Sequence, residues 1–81
     1  MKRVHGYIVD VLCRLNKYGP MKWHQAVRLG WAPSEYHTGK AGVRRRILLR
    51  AIERQWIAVR GDKLVITPCG GRELRDALRA I

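Results

Sequence analysis

The sequence predicts an α+β fold, mostly α: three helices, a β-hairpin and a closing helix, all in one domain spanning residues 1–81. Three observations carry that expectation. Apolar residues recur at helical spacing in separate stretches. Two β-rich runs flank Gly61-Asp62. The chain has 81 residues of which 47% are hydrophobic, enough for one small core and too many for a disordered tail. No phenylalanine is present, so three tryptophans, three tyrosines and the aliphatics do the packing.

The first helix is expected over residues 3–17. Val4, Ile8, Val11, Leu12 and Leu15 share one face, with Arg3, Asp10, Arg14 and Lys17 largely on the other. Gly19 and Pro20 stop it, the first by taking a left-handed cap and the second by refusing to continue. Residues 21–30 read as a short second helix with Trp23, Ala26 and Val27 inward and Gly30 as terminator. Met21, at its start, suits an extended bridge residue. Residues 31–40 hold Pro33, Ser34, Thr38 and Gly39 together and read as a loop. Trp31 is expected to anchor in the core, and Tyr36 and His37 to be exposed.

The third helix is expected over residues 41–55. At about 100° per residue, Arg46, Arg50, Glu53 and Arg54 fall on one arc. Leu48, Leu49, Ala51, Ile52 and Trp56 fall mostly opposite, and Val43 and Ile47 lie near the basic edge, either partly exposed or covered by the preceding loop. Residues 56–67 form the hairpin, turning at Gly61-Asp62, with Ile57 and Val59 on one face of its first strand and Leu64 and Ile66 on one face of its second. Residues 67–81 give the last helix. Thr67 suits the N-cap and Pro68 the first helical position, although Gly70-Gly71 would also fit a start delayed to Arg72. Leu74, Leu78 and Ile81 form its stripe.

Charge narrows the function. Seventeen basic against six acidic residues give a net charge of +11, which repels itself unless a partner neutralises it. Nucleic acid is the commonest such partner, and an anionic membrane or an acidic protein comes next. No stretch reaches the ~18 apolar residues of a membrane span. Asp10 and Arg14 interrupt the N-terminal apolar run, so a signal peptide is not expected and a cytoplasmic, nucleoid-associated location is. Cys13 and Cys69 lie far apart, and His5, His24 and His37 are scattered. No metal, cofactor or disulfide is expected from such spacing. Paired carboxylates, a nucleophile–histidine arrangement and a phosphate-cradling glycine motif are lacking too, so an enzyme is not expected.

The charge is also concentrated. Lys40, Arg44, Arg45, Arg46, Arg50, Arg54, Arg60 and Lys63 against Glu53 and Asp62 give residues 40–63 a net +6. Arginines at 46, 50 and 54 make a stripe about 12 Å long at ~1.5 Å rise per residue. That matches a major groove roughly 12 Å wide, where a guanidinium forks onto guanine O6 and N7 or onto a phosphate. Arg46 and Arg50 are the base-reading candidates. Arg44, Arg45, Arg54, Arg60, Lys63 and Lys40 are candidates for phosphate, Arg45 alternatively packing over the second helix, with Lys22 and His24 reaching the opposite strand. Gly39 and Gly42 would let backbone approach a phosphate near the helix start. The competing reading of the stripe is a solvated face, which normally alternates bases with acids; here Glu53 alone offers such a partner to Arg50.

The order of elements, "LLRAIERQWIAV" (48–59), and "LVITPCGGREL" (64–74) resemble the winged helix-turn-helix family, above all its bacterial repressors of the multiple-antibiotic-resistance and arsenical-resistance types. In that family a leucine-rich recognition helix leads into the first wing strand, and the second strand closes into a helix through a leucine-threonine-x-x-glycine-arginine pattern. Ile66, Thr67, Gly70 or Gly71, and Arg72 stand in those places. The likeness covers roughly residues 5–80. Trp56 stands where the family usually has glycine, the loop before the third helix is about ten residues rather than 3–4, and the wing tip is short.

The resemblance implies a prokaryotic, phage or plasmid DNA-binding protein, a regulator or accessory factor acting on double-stranded DNA by occupying its site. A homodimer through the first or last helix would add base contacts. Two alternatives stay open: a winged-helix module that docks on a protein, such as an inhibitor of an acidic host protein, and RNA binding.

Overall fold

The computed structural model describes residues 6–30 and 40–79. Expectations for Val4, His5, Trp31, Tyr36, His37, Gly39 and Ile81 lie outside them. Among the described residues the fold is α+β and mostly helical, with a three-stranded antiparallel sheet.

Helix α1, Gly6–Tyr18, buries Tyr7, Ile8, Val11, Leu12 and Leu15. It ends on a left-handed Gly19 (φ 91°), whose N–H bonds the Leu15 carbonyl at 3.0 Å. The chain then enters strand β1, Met21–Lys22, with Met21 extended as the sequence suggests and Lys22 extended with it. The second helix is therefore shorter than the sequence pattern suggests: α2 is Trp23–Val27, closed by a turn into Gly30 (φ 75°). Lys22 is extended, and its N–H donates to Gln25 Oε1 at 3.1 Å, which satisfies one donor at the helix start.

Helix α3, Lys40–Glu53, buries Leu48 and Ala51 and sets Ala41, Ile47 and Ile52 against the same core. It closes in a Schellman arrangement: Gln55 N–H bonds Ile52 O and Trp56 N–H bonds Ala51 O, both at 3.0 Å. The left-handed position is Gln55 (φ 64°), the one non-glycine at positive φ among the described residues. Arg54 therefore belongs to the helix cap and not to the helix body.

Strands β2, Ile57–Arg60, and β3, Lys63–Ile66, form the hairpin. Gly61 takes φ 63° at the first turn position, as a tight two-residue turn requires. β3 is the central strand, between β1 and β2. Helix α4 is Pro68–Arg79, so the start delayed to Arg72 does not occur. Thr67 caps it, accepting the Gly70 N–H on Oγ1 at 3.0 Å while its hydroxyl donates to the Gln55 carbonyl.

Gly70 is buried because the first turn of α4 lies on the end of α3: a Cβ there would sit 2.1 Å from the Trp56 carbonyl oxygen. One core joins α1, α2, α3, β2, β3 and α4, and Trp23 and Trp56 pack half-buried at its margin. Cys13 and Cys69 are free thiols.

Candidate nucleic-acid interface

Two faces carry the basic residues that the sequence singles out, while Arg14, Lys17, Arg28, Arg72, Arg75 and Arg79 are exposed elsewhere. The first is the outward side of α3. Arg45, Arg46 and Arg50 are exposed there, and none is held in an ion pair among the described residues. Glu53 is exposed beside them. Lys40 opens the helix; its side chain lies outside the described residues. Gly42 is exposed with open space around it, which leaves the first turn of α3 approachable.

The reading of α3 needs two corrections, at Leu49 and at Arg44. Leu49 does not face the core: it is 51% exposed, whereas Val43, at the basic edge, is 55% exposed in line with one of the two readings of its place. Arg44 is not a free phosphate contact. Its Nη1 donates to the carbonyls of Val27 at 2.9 Å and Leu29 at 2.7 Å, and its guanidinium lies 4.3 Å from the centre of the Tyr7 ring. The Val27 carbonyl is the last of α2 and the Leu29 carbonyl lies in the turn that follows, where acceptors lack helical partners. Arg44 thus ties α3 to α2 and α1.

The signal for this was present in the sequence. Positions 41, 44, 48 and 51 follow the three-four-three spacing of an inward seam, and Arg44 is its one polar member. Tyr7, beneath Arg44, donates its hydroxyl to Ala26 O at 2.5 Å. Burial pushes the Tyr7 phenol up from 10.0 to about 12, with the Arg44 charge opposing that rise.

The second face belongs to the sheet. Lys22 pairs with Lys63, and Lys63 pairs with Arg60. Directly paired residues project from the same side of an antiparallel sheet. All three are exposed, so three cations stand in one row across three strands. At about 4.8 Å per strand the row spans roughly 10 Å. The sequence places Lys22 at the start of a helix and does not reveal that it joins the hairpin; only strand pairing does. His24 follows on the first turn of α2, exposed. Arg54 lies with its guanidinium 5.2 Å from the Trp56 ring centre, which holds it at the junction between α3 and β2.

A separate groove of about 710 Å³ runs along α4, lined by Asn16, Ile66, Arg72, Leu74, Arg75 and Leu78 among others. Its charged residues are both arginines, and no residue of α3 or of the hairpin tip lines it. Among the described residues no three His, Cys, Asp or Glu side chains gather to hold a metal ion. No described helix is long and apolar enough to cross a membrane.

The chain matches no known protein family, no curated protein and no solved structure.

Proposed function

We propose that the protein binds double-stranded DNA in the manner of a winged helix, with α3 in the major groove and the β1–β3–β2 row on the backbone, acting as a transcriptional regulator or accessory factor by occupying its site. The observation that carries this reading is the row Lys22–Lys63–Arg60. Like charges directly opposed on neighbouring strands destabilise a sheet, and here two such pairs adjoin with no acid in the row. A polyanion supplies what the fold withholds, since a duplex presents one negative charge per ~1.7 Å of axis. Arg45, Arg46 and Arg50 add a second cationic edge. The helix–strand–helix–helix–hairpin–helix order supports the winged-helix reading, because it puts a hairpin directly after the basic helix.

Roles follow from placement. Arg46 and Arg50 are assigned to base edges. Arg45, Arg54, Arg60, Lys63, Lys22 and Lys40 are assigned to phosphates, and His24 to the flanking strand. Arg44 is assigned to the fold.

Fluorescence anisotropy of a labelled mixed-sequence duplex across a salt series tests the proposal. Log affinity should fall linearly with log salt, at about −0.9 per phosphate neutralised. Lys22→Ala, Lys63→Ala and Arg60→Ala should each flatten the slope by about one such step. A chain without duplex affinity at low salt is not a DNA-binding protein.

A further inference from the structure

We infer that α3 reads thymine as well as guanine, through Val43 and Leu49, so that the protein selects duplex DNA sites in which a guanine is flanked by thymines. The inference rests on the DNA-binding reading above and deepens it. Val43 and Leu49 are among the most exposed large apolar side chains described, at 55% and 51%. A single exposed aliphatic residue needs no explanation, but these two are placed by a rule. They stand three residues before and three residues after Arg46, so Val43, Arg46 and Leu49 form one i, i+3, i+6 ridge on the outward side of α3. Arg50 lies beside that ridge, one turn beyond Arg46. The order along the ridge is aliphatic, guanidinium, aliphatic.

That order has a chemical counterpart in the major groove. Guanine offers two acceptors, N7 and O6, which a guanidinium takes as a fork. Thymine offers the 5-methyl group, the one apolar feature of the groove edge, which aliphatic side chains contact. Val43 and Leu49 are separated by about 9 Å along the helix axis at ~1.5 Å per residue. That equals between two and three base steps at ~3.4 Å each. The flanking aliphatics would also shield an Arg46–guanine pair from water, which strengthens it.

The adjoining cations argue against a merely apolar partner. An acidic protein surface would satisfy the arginines but offers no fixed alternation of acceptor pairs and methyl groups. Duplex RNA lacks the methyl group and hides its major groove.

The experiment begins with selection of bound sites from a randomised duplex pool by the full chain. Each thymine of the selected duplex is then replaced by deoxyuridine, which removes the methyl group alone. At one or two positions the replacement should weaken binding about fourfold, the factor for one buried methyl-sized group. Val43→Ala and Leu49→Ala, both at exposed sites that leave the core intact, should each lose sensitivity at one of those positions. Duplex RNA of the same sequence should bind more weakly than DNA. If the chain binds DNA selectively but deoxyuridine is silent at every thymine, the inference is overturned and the DNA-binding reading stands. Sensitivity that survives in both alanine variants, or equal affinity for RNA, overturns it too. Absence of any duplex binding at low salt removes the DNA-binding reading itself.

Discussion

Arg44, Arg45 and Arg46 are neighbours in sequence and strangers in space, because each step along a helix turns the side chain by about 100°. Arg44 points to the Val27 and Leu29 carbonyls and the Tyr7 ring, whereas its two neighbours point to solvent. Arg44→Ala should therefore cost stability, about 1.5–3 kcal/mol for charge-assisted hydrogen bonds to acceptors left behind, read as a shift of the urea midpoint. It should change the salt slope of DNA binding less than Arg60→Ala does. A lysine ammonium can donate to both carbonyls, as Arg44 Nη1 does, but has no planar group to lay on the Tyr7 ring at the same time, so Arg44→Lys should recover only part of the loss.

Tyr7 makes a separate prediction. Its phenol keeps its proton to about pH 12 when folded, against 10.0 when unfolded. Between those values the folded state binds more protons, so the Tyr7 contribution is full below pH 10 and is lost as pH rises toward 12. Tyr7→Phe should flatten that alkaline limb in urea melts taken from pH 9 to 12. Gly70→Ala drives a methyl group to 2.1 Å from the Trp56 carbonyl oxygen, backbone that cannot swing aside. Its cost should reach at least the upper end of the ~1–3 kcal/mol typical of overpacking.

At the scale of the element, α3 shows how far a pattern can be read. Leu48 and Ala51 bury as their spacing suggests, but Leu49 does not. Consecutive apolar residues cannot share one helical face, and the run at 47–49 contains two candidate faces. Which of them turns inward depends on where α1 and the sheet lie. The helix end carries its own signal: Gln55 holds a left-handed conformation that costs an L-residue roughly 1 kcal/mol. Gln55→Gly should thus be neutral or stabilising by up to about 1 kcal/mol, since the gain is partly offset by chain entropy. A loss of stability by thermal melting would show that the Gln55 side chain matters in its own right. Trp56 is not the residue under backbone strain; it supplies the carbonyl that Thr67 N–H and α4 approach.

For the whole molecule, the sheet brings distant Lys22 into one row with Arg60 and Lys63, which already face each other across the Gly61-Asp62 turn; the place of Lys22 in that row is invisible in the spacing. The α4 groove bears on assembly. Arg72 and Arg75 are its charged residues, so a two-fold copy laid over it would set arginine against arginine. The chain alone should therefore sediment as a monomer at low salt, and any dimer should form on DNA, where phosphates screen the charge. A stable dimer in sedimentation without DNA would contradict this.

The sequence by itself determined the order of the helices and the hairpin, the inward face of α1, the tight turn at Gly61 and the excess of positive charge. These depend on periodicity, backbone chemistry and composition, all of which are local. Tertiary structure alone decided that Met21–Lys22 would pair with the hairpin, that Leu49 would face out, and that Gly70 would meet the Trp56 carbonyl. It also decided that one arginine of three would be spent on the fold. Each of those outcomes depends on which partner surface lies opposite, and no short stretch of chain contains its own partner.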